Sequence, residues 1–545
     1  MTSPADWQPA AGIDLEPGAR TAATSQEGNL LIIAGPGSGK TELLAQRADF
    51  LLTTEVCRYP KRILAISFKV DAARNLEQRV RRRCSPALAS RLDSHTFHAF
   101  AKRVIDTFRP VLTGADALDP DYTVGTTAIA GSQITFAQMA PLATKILKGS
   151  VIARNAIDQT YEFVFLDEFQ DCTQDQYALL LAAFGTRTDG LIAVGDAKQR
   201  IMMWAGALPR VMSAYKETFD ATPIPLLQNY RAKPRLRRMQ NTMILDLEPE
   251  SAIGADQLLG DAGSVQVQRF VDDTDEAAWV ADQIQEWIDD DGISPEEIAV
   301  LVRSSLPLYT PQLCKRLREL QIPFRLEADS QDLPGEPIAG LICDYLAVVC
   351  GDQEADAYTR LMDVARSGAT NQADEQGRFL ALRESVESSR EKLQLIGEQS
   401  VRDLVGELRQ VVGVSVLASM APAYQQAERL EEIVEQVVAS LEELVEATGD
   451  VAAALREFVG TGAVRILTVH KSKGLEYDAV VVLGVERELY FGEDVDETFF
   501  VAISRPREHL VLTVCGQREP ESAPWWWKRR RSEFSRLTAY AESAL

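Results

Sequence analysis

Short apolar runs alternate along this chain with stretches whose apolar residues recur every three or four positions. Leu30-Leu31-Ile32-Ile33-Ala34 is followed by Leu43, Leu44, Arg47, Ala48 and Leu51, a strand and then one face of a helix. Arg62-Ile63-Leu64-Ala65-Ile66-Ser67-Phe68 precedes the helical set Ala72, Ala73, Leu76 and Val80, and a further strand ends near Asp93 to His98. Phe163-Val164-Phe165-Leu166 and Leu191-Ile192-Ala193-Val194 are two more buried strands. The same alternation resumes near Ser264. Val265 to Val267 reads as a strand, 274–289 as a helix, Ile298 to Arg303 as a strand, 309–320 as a helix and 323–326 as a strand. Val464 to Val469 and Val480 to Leu483 return to that sheet. Strands alternating with helices predict parallel sheets with ligands at the carboxyl ends of the strands.

Two regions depart from this rhythm. Residues 101–158 are mixed, with turn signals at Gly114 and Asp119-Pro120 and a helical pattern from Met139 to Leu147. Residues 335–460 are helical almost throughout. There Leu430, Ile433, Val434, Val437, Val438, Leu441, Leu444 and Val445 form one face against a glutamate-rich, solvated one. Residues 1–27, with Pro9, Pro17 and Gly18, read as an irregular lead-in. The fold class is α/β, with two parallel-sheet cores and small, mostly helical inserts.

Composition narrows the partners. The 545 residues are 46% hydrophobic and 25% charged, as in ordinary globular proteins, and carry a net charge of −23. Such acidity excludes a generally basic nucleic-acid-coating protein but allows a local basic groove. Seven scattered cysteines form no C-x-x-C pair, as expected of a reducing compartment without a structural zinc site. Neither a signal peptide nor an apolar run of membrane-spanning length is apparent, so the expectation is a cytoplasmic protein that does not enter a membrane.

The chemistry concentrates at Gly35-Pro36-Gly37-Ser38-Gly39-Lys40-Thr41, a G-x-x-x-x-G-K-[ST] loop between a strand and a helix. Glycines let backbone N–H groups close around a phosphate, and the helix N-terminus adds its positive end. Lys40 can reach the β/γ-phosphates and Thr41 can ligate Mg²⁺. Downstream, Leu166-Asp167-Glu168 ends a strand in two carboxylates. Asp167 suits a metal held through water, and Glu168 suits the general base that polarises an attacking water.

In order and spacing, Ala34–Thr41, Ile63–Val80, Ser94–Phe100, Val164–Asp171, Val194–Ala207, Leu227–Arg231, Ile298–Arg303, Ile466–Val482 and Phe499–Arg507 resemble the motifs of superfamily 1 helicases of the UvrD/Rep/PcrA type. The resemblance implies two RecA-like domains with ATP between them, single-stranded DNA across their tops and 3′→5′ movement. It divides the chain into a first RecA-like domain (1–100 with 159–231), its insert (101–158), a second RecA-like domain (232–334 with 461–515), a helical insert (335–460) and an aromatic, basic tail (516–545). It also implies that Gln199 senses the γ-phosphate, Tyr230 stacks on adenine, Glu476 accepts from the ribose, and Arg231 and Arg505 are arginine fingers. His470 would link the DNA and ATP sites. DNA contacts would come from Phe68, Thr96, Phe97, His98 and Trp204, with core packing the competing reading for Phe68 and Phe97.

Departures from the pattern matter. Ala19 stands where the family usually has an adenine-reading glutamine, and Glu42 where arginine is frequent. Met202 and Ala205 replace the usual Tyr and Arg around Trp204. Trp525-Trp526-Trp527-Lys528-Arg529-Arg530-Arg531 reads either as a nucleic-acid or partner contact or as a cap on a core. The expectation is an ATP- and Mg²⁺-dependent translocase or 3′→5′ helicase acting on single-stranded or tailed DNA. The alternative, favoured by the short inserts and the altered DNA-contact residues, is a regulatory ATPase subunit of a repair or antiphage defence complex that senses DNA ends or nucleotide and controls a partner nuclease; a nuclease or repair protein is the partner expected besides DNA.

Overall fold

The computed structural model describes residues 2–543 apart from 11, 69, 126, 202–205, 328–332, 352–353, 368–371, 397–400, 414–415, 418–419, 421–426, 460–461 and 521–522. Fourteen strands are present among the described residues. In the first half they are β1 (Leu30–Ala34), β2 (Arg62–Ser67), β3 (Leu92–Thr96), β4 (Leu118–Gly125), β5 (Gly131–Thr135), β6 (Tyr161–Leu166), β7 (Leu191–Gly195) and β8 (Thr222–Leu226). In the second they are β9 (Ser264–Asp272), β10 (Ile298–Val302), β11 (Phe324–Leu326), β12 (Val464–Thr468), β13 (Tyr477–Leu483) and β14 (Pro506–Gln517).

They build two six-stranded sheets, ordered β3-β2-β6-β7-β1-β8 and β11-β12-β10-β13-β14-β9, and every pairing within them is parallel. Helices cover both faces of such a sheet, so its central strands are apolar throughout. Ala479, Val480, Val481 and Val482 in β13 are all fully buried. Each branched side chain buried this way contributes about 1.5–3 kcal/mol.

The pattern of apolar positions misses three features. β8 is Thr-Pro-Ile-Pro-Leu, and two prolines remove ladder donors; it survives because it is an edge strand paired only with β1. β14 lies between β13 and β9 and extends the second sheet through Leu510 to Cys515. The lead-in contains a helix, Pro17–Thr24, started by a proline at its first position. Arg47, placed by periodicity among apolar positions, is 2% exposed. Its Nη1 donates to the carbonyls of Ala22 (2.6 Å) and Ser25 (2.8 Å), so it satisfies the end of that first helix.

Residues 101–158 share one hydrophobic core with the face of the first sheet, through Val104, Ile105, Tyr122, Ile134, Met139, Ala143 and Ile146. The helical region from Ile338 to Phe458 has a core of its own. The chain beyond β14 folds back on the second sheet, where Leu537, Tyr540 and Ala541 join its core. No described helix is long and apolar enough to cross a membrane.

Candidate ATP and DNA site

Strand β1 delivers the chain into the turn at Gly35–Gly39, where Gly37 and Gly39 have φ of +69° and +78°. These are conformations only glycine adopts freely. Ser38 Oγ donates to the Gly35 carbonyl at 2.8 Å and fixes the turn. The helix Lys40–Thr53 starts on Gly39, so no side chain caps its first N–H groups. An uncapped helix N-terminus beneath inward-turned glycines fits a phosphate. The loop is approached from the far side by Asn229–Arg231. Tyr230 N donates to Gly37 O at 3.0 Å, and a Cβ on Gly37 would lie 2.3 Å from Asn229 Oδ1.

β6 leads into Asp167 and Glu168, facing the loop. Glu168 has φ +50°, a left-handed conformation costing about 1–2 kcal/mol for a non-glycine residue, and the turn aims its carboxylate back at Lys40. Lys40 Nζ is 3.7 Å from Glu168 Oε1, and Gln170 Nε2 donates to Glu168 Oε2 at 2.6 Å. Burial pushes the Glu168 carboxyl up, but Lys40, Lys473, the Gln170 amide and Arg505 outweigh it and hold it below the usual carboxylate range. Asp167, 4% exposed, moves the other way, raised by burial and by the Glu168 charge. A buried carboxylate after β6 and the Thr41 hydroxyl at the start of helix Lys40–Thr53 are oxygen donors of the kind that fit Mg²⁺.

β7 ends at Gly195, and Asp196 begins a short turn carrying Gln199, which is 3% exposed. Gln199 Nε2 donates to Asp196 Oδ2 at 2.9 Å. Its Oε1 accepts from Arg505 Nη2 at 2.9 Å, a bond from the second sheet's lobe into the first. Arg505, at 2% exposure, also donates to the carbonyls of Val501 and Leu475. Burial and the nearby Arg231 push its pKa down to about 9, against the pull of Glu168, Glu476 and Asp196. Arg231 pairs with Glu476, whose Oε1 accepts from Arg507 Nη2 at 2.8 Å.

One further residue closes the cleft. Lys473, 5% exposed, donates from the second lobe to Asp171 Oδ2 at 2.5 Å and to the Gln199 carbonyl at 2.7 Å. Sequence reasoning passed over it; its only signal is a lysine immediately before the loop at Gly474-Leu475-Glu476.

The structure therefore gathers Lys40, Asp167, Glu168, Gln199, Arg231, Glu476 and Arg505 at one cleft. They stand beyond the carboxyl ends of β1, β6, β7 and β8 and just before β13 and β14. Comparison with known proteins identifies the family. Residues 15–124 and 127–220 match the UvrD/REP helicase N-terminal domain, and residues 224–376 and 378–517 match the UvrD-like helicase C-terminal domain. The chain belongs to the UvrD-like helicase family. It is 23% identical to the ATP-dependent DNA helicase PcrA of Bacillus subtilis, an alignment covering 92% of this chain and 83% of that protein. It is also 23% identical to DNA helicase II of Haemophilus influenzae, over 90% of this chain and 82% of the relative.

For the DNA face of this UvrD-like helicase the outcome is mixed. Phe97 is 4% exposed and packs in the first lobe's core, so the competing reading holds and it offers no stacking face. Phe68 is half-buried at the end of β2. Thr96 ends β3, and its hydroxyl accepts from Ala99 N at 3.2 Å as a helix cap. His98 is exposed and lies edge-on to Phe136, ring centroids 5.5 Å apart. His470 follows β12 in the short helix Val469–Ser472. Trp204, with Met202 and Ala205, lies outside the described residues. Tyr230 is 53% exposed, its ring open to a flat partner. All seven cysteines are free thiols.

Proposed function

We propose that this helicase moves 3′→5′ along single-stranded DNA by opening and closing the cleft between two lobes, 1–231 and 232–515, around ATP. The observation that carries the reading is the Arg505–Gln199 hydrogen bond across that cleft, above the Lys40–Glu168 pair. In this reading Lys40 and the N–H groups of Gly35–Thr41 hold the β- and γ-phosphates, while Tyr230 stacks on the base and Glu476 accepts from the ribose. Thr41 and Asp167 would hold Mg²⁺, which when bound neutralises charge on the phosphate oxygens. Glu168, kept ionised by its basic neighbours, takes the proton of the attacking water. Gln199 orients that water. Arg231 and Arg505 place two fixed cations against the charge that develops on the transferred phosphoryl oxygens.

Because Arg505 bonds Gln199 while Lys473 bonds Asp171, the state of the nucleotide sets how firmly the lobes close. Alternating closure passes DNA across the carboxyl-end rims that carry Phe68, Thr96, His98 and His470. The relatives are named as helicases, which favours the motor over a regulatory subunit. The protein acts in the cytoplasm.

The test is ATPase rate with and without single-stranded DNA, paired with strand displacement on duplexes bearing a 3′ or a 5′ tail. The expected result is strong DNA stimulation and displacement from the 3′ tail, both abolished in Lys40→Ala and Glu168→Gln. Equal turnover with and without DNA would refute the motor.

A further inference from the structure

We propose that the hairpin at residues 524–531 is a second single-stranded DNA contact, placed on the rim of the second sheet beyond His470. The proposal rests on the DNA reading above and adds a site to it.

The segment is built, not loose. Arg518 N donates to Arg529 O at 2.9 Å, Arg531 N to Gly516 O at 2.9 Å, and Trp527 Nε1 to Arg518 O at 3.1 Å. Trp527 is the anchor. Its ring meets Tyr309 edge-on at 5.4 Å, and the Arg531 guanidinium lies over it at 3.8 Å. So fixed, the hairpin holds Trp525 at 95% and Trp526 at 55% exposure, with Lys528, Arg529 and Arg530 also exposed. Glu519 partly offsets Arg529 at 3.5 Å. A protein of net charge −23 thus displays two exposed indoles and three cations on one short turn, the Trp526 ring 6.1 Å from that of Trp527. Indole faces stack on bases without regard to sequence, and cations meet the intervening phosphates.

Register puts this turn on the expected DNA path. Val302 of β10 pairs with Thr468 of β12 and with Leu483 of β13, and Val482 pairs with Leu512 of β14. Thr468 and Thr513 therefore stand at one level; His470 follows directly after it, and the hairpin springs from Gly516–Arg518, further out beyond the same ends of the strands. From β12 to β14 is three strand spacings, about 14 Å, a step a few nucleotides can span. Arg505, by contrast, precedes the opposite end of β14, so the hairpin is remote from the ATP cleft.

The experiment uses the full chain and a graded series of fluorescent oligothymidylates. Affinity should rise with length to a step that Trp525→Ala/Trp526→Ala lacks. That variant should lose at least about tenfold on long strands, while keeping wild-type affinity for the shortest strand that binds and wild-type ATPase without DNA. Trp525→Phe/Trp526→Phe should restore the step, and Lys528→Gln/Arg530→Gln should lower the salt slope by about 1.4. Equal binding of long strands by the alanine variant and the unaltered chain overturns the hairpin site alone. So does loss of binding only to anionic phosphatidylserine vesicles. Failure of the unaltered chain to bind any oligothymidylate overturns the DNA reading as a whole.

Discussion

Arg505 and Gln199 are joined at 2.9 Å although 306 residues separate them, and neither is more than 3% exposed. Their bond ties the turn after β7 to the residue preceding β14, so each lobe completes the other's half of the cleft. Arg505 divides its donors among Gln199, Ser504 Oγ and the carbonyls of Val501 and Leu475. A fork of fixed planar donors can do this; an ammonium on a flexible stem cannot.

Arg505→Ala and Arg505→Lys should therefore both lower DNA-stimulated kcat by about a thousandfold. KM for ATP should change little, since in the proposed role the guanidinium acts on charge that appears in the transition state. Rapid-mix ATPase kinetics will distinguish this from a binding defect. Rescue by lysine would show that charge alone suffices.

The second prediction concerns acid. Burial pushes Glu476 up, but Arg231, Arg507 and Arg505 outweigh it and hold its carboxyl below the ordinary value. A folded pKa below the unfolded value, about 4.3, means that the ionised form stabilises the native state. The contribution is whole above that value and disappears as pH falls through the lower folded one. Glu476→Gln should accordingly melt below the unaltered protein at neutral pH. The gap in Tm should close as the solution is taken below about pH 4. A gap independent of pH would show that the pairing with Arg231 and Arg507 carries no weight.

How much of this was legible in the sequence follows from how local each feature is. The phosphate loop, the Asp167-Glu168 strand end and most strands are written in runs of under ten residues. Their geometry follows from backbone chemistry close at hand. β8 was hidden because Pro223 and Pro225 signal against a strand, and only its place at the sheet edge makes them tolerable. Lys473 was hidden because its partner Asp171 is 302 residues away. Phe97 illustrates the converse: it sits in a motif that suggested DNA, but as the first residue of helix Phe97–Phe108 it turns into the core. Direction in space is not encoded in a motif's letters.

Base recognition supplies the third prediction. Ala19 has no polar group and is 6% exposed, buried against the first lobe. Glu42 is turned away by Arg83 at 2.6 Å and Arg79 at 2.8 Å. Tyr230, by contrast, keeps an open ring, and stacking on it does not distinguish one purine from another. ATP and GTP should thus give kcat/KM values within about tenfold of each other, and Tyr230→Ala should raise both KM values by a similar factor. A preference for ATP of about a thousandfold or more would require a hydrogen-bonded reader of the base.

The last prediction tests what holds the second lobe's end together. Arg518, fully buried just past β14, donates to both oxygens of Glu276 at 2.6 and 2.7 Å and to Glu486 Oε1 at 2.7 Å. Its guanidinium also lies 4.8 Å above the Tyr309 ring. Burial pushes Glu486 up to about 7 in spite of Arg518, while Arg518 itself is raised by the two carboxylates. The geometry favours an intact pair, since Glu486 Oε1 also accepts from Cys515 N at 3.3 Å. Arg518→Met would strand Glu276 in the core and leave Glu486 only Arg531, a change that costs about 3–5 kcal/mol when one partner of a buried pair is removed. Replacing the bidentate pair together, as Arg518→Met/Glu276→Leu, leaves Glu486 paired with Arg531 Nε at 3.7 Å and should recover most of that loss. Urea denaturation followed by the fluorescence of Trp287 and Trp527 will read the difference. If the single variant is as stable as the unaltered chain, the carboxylates have taken up protons or water, and the triad is not what fastens the tail to the sheet.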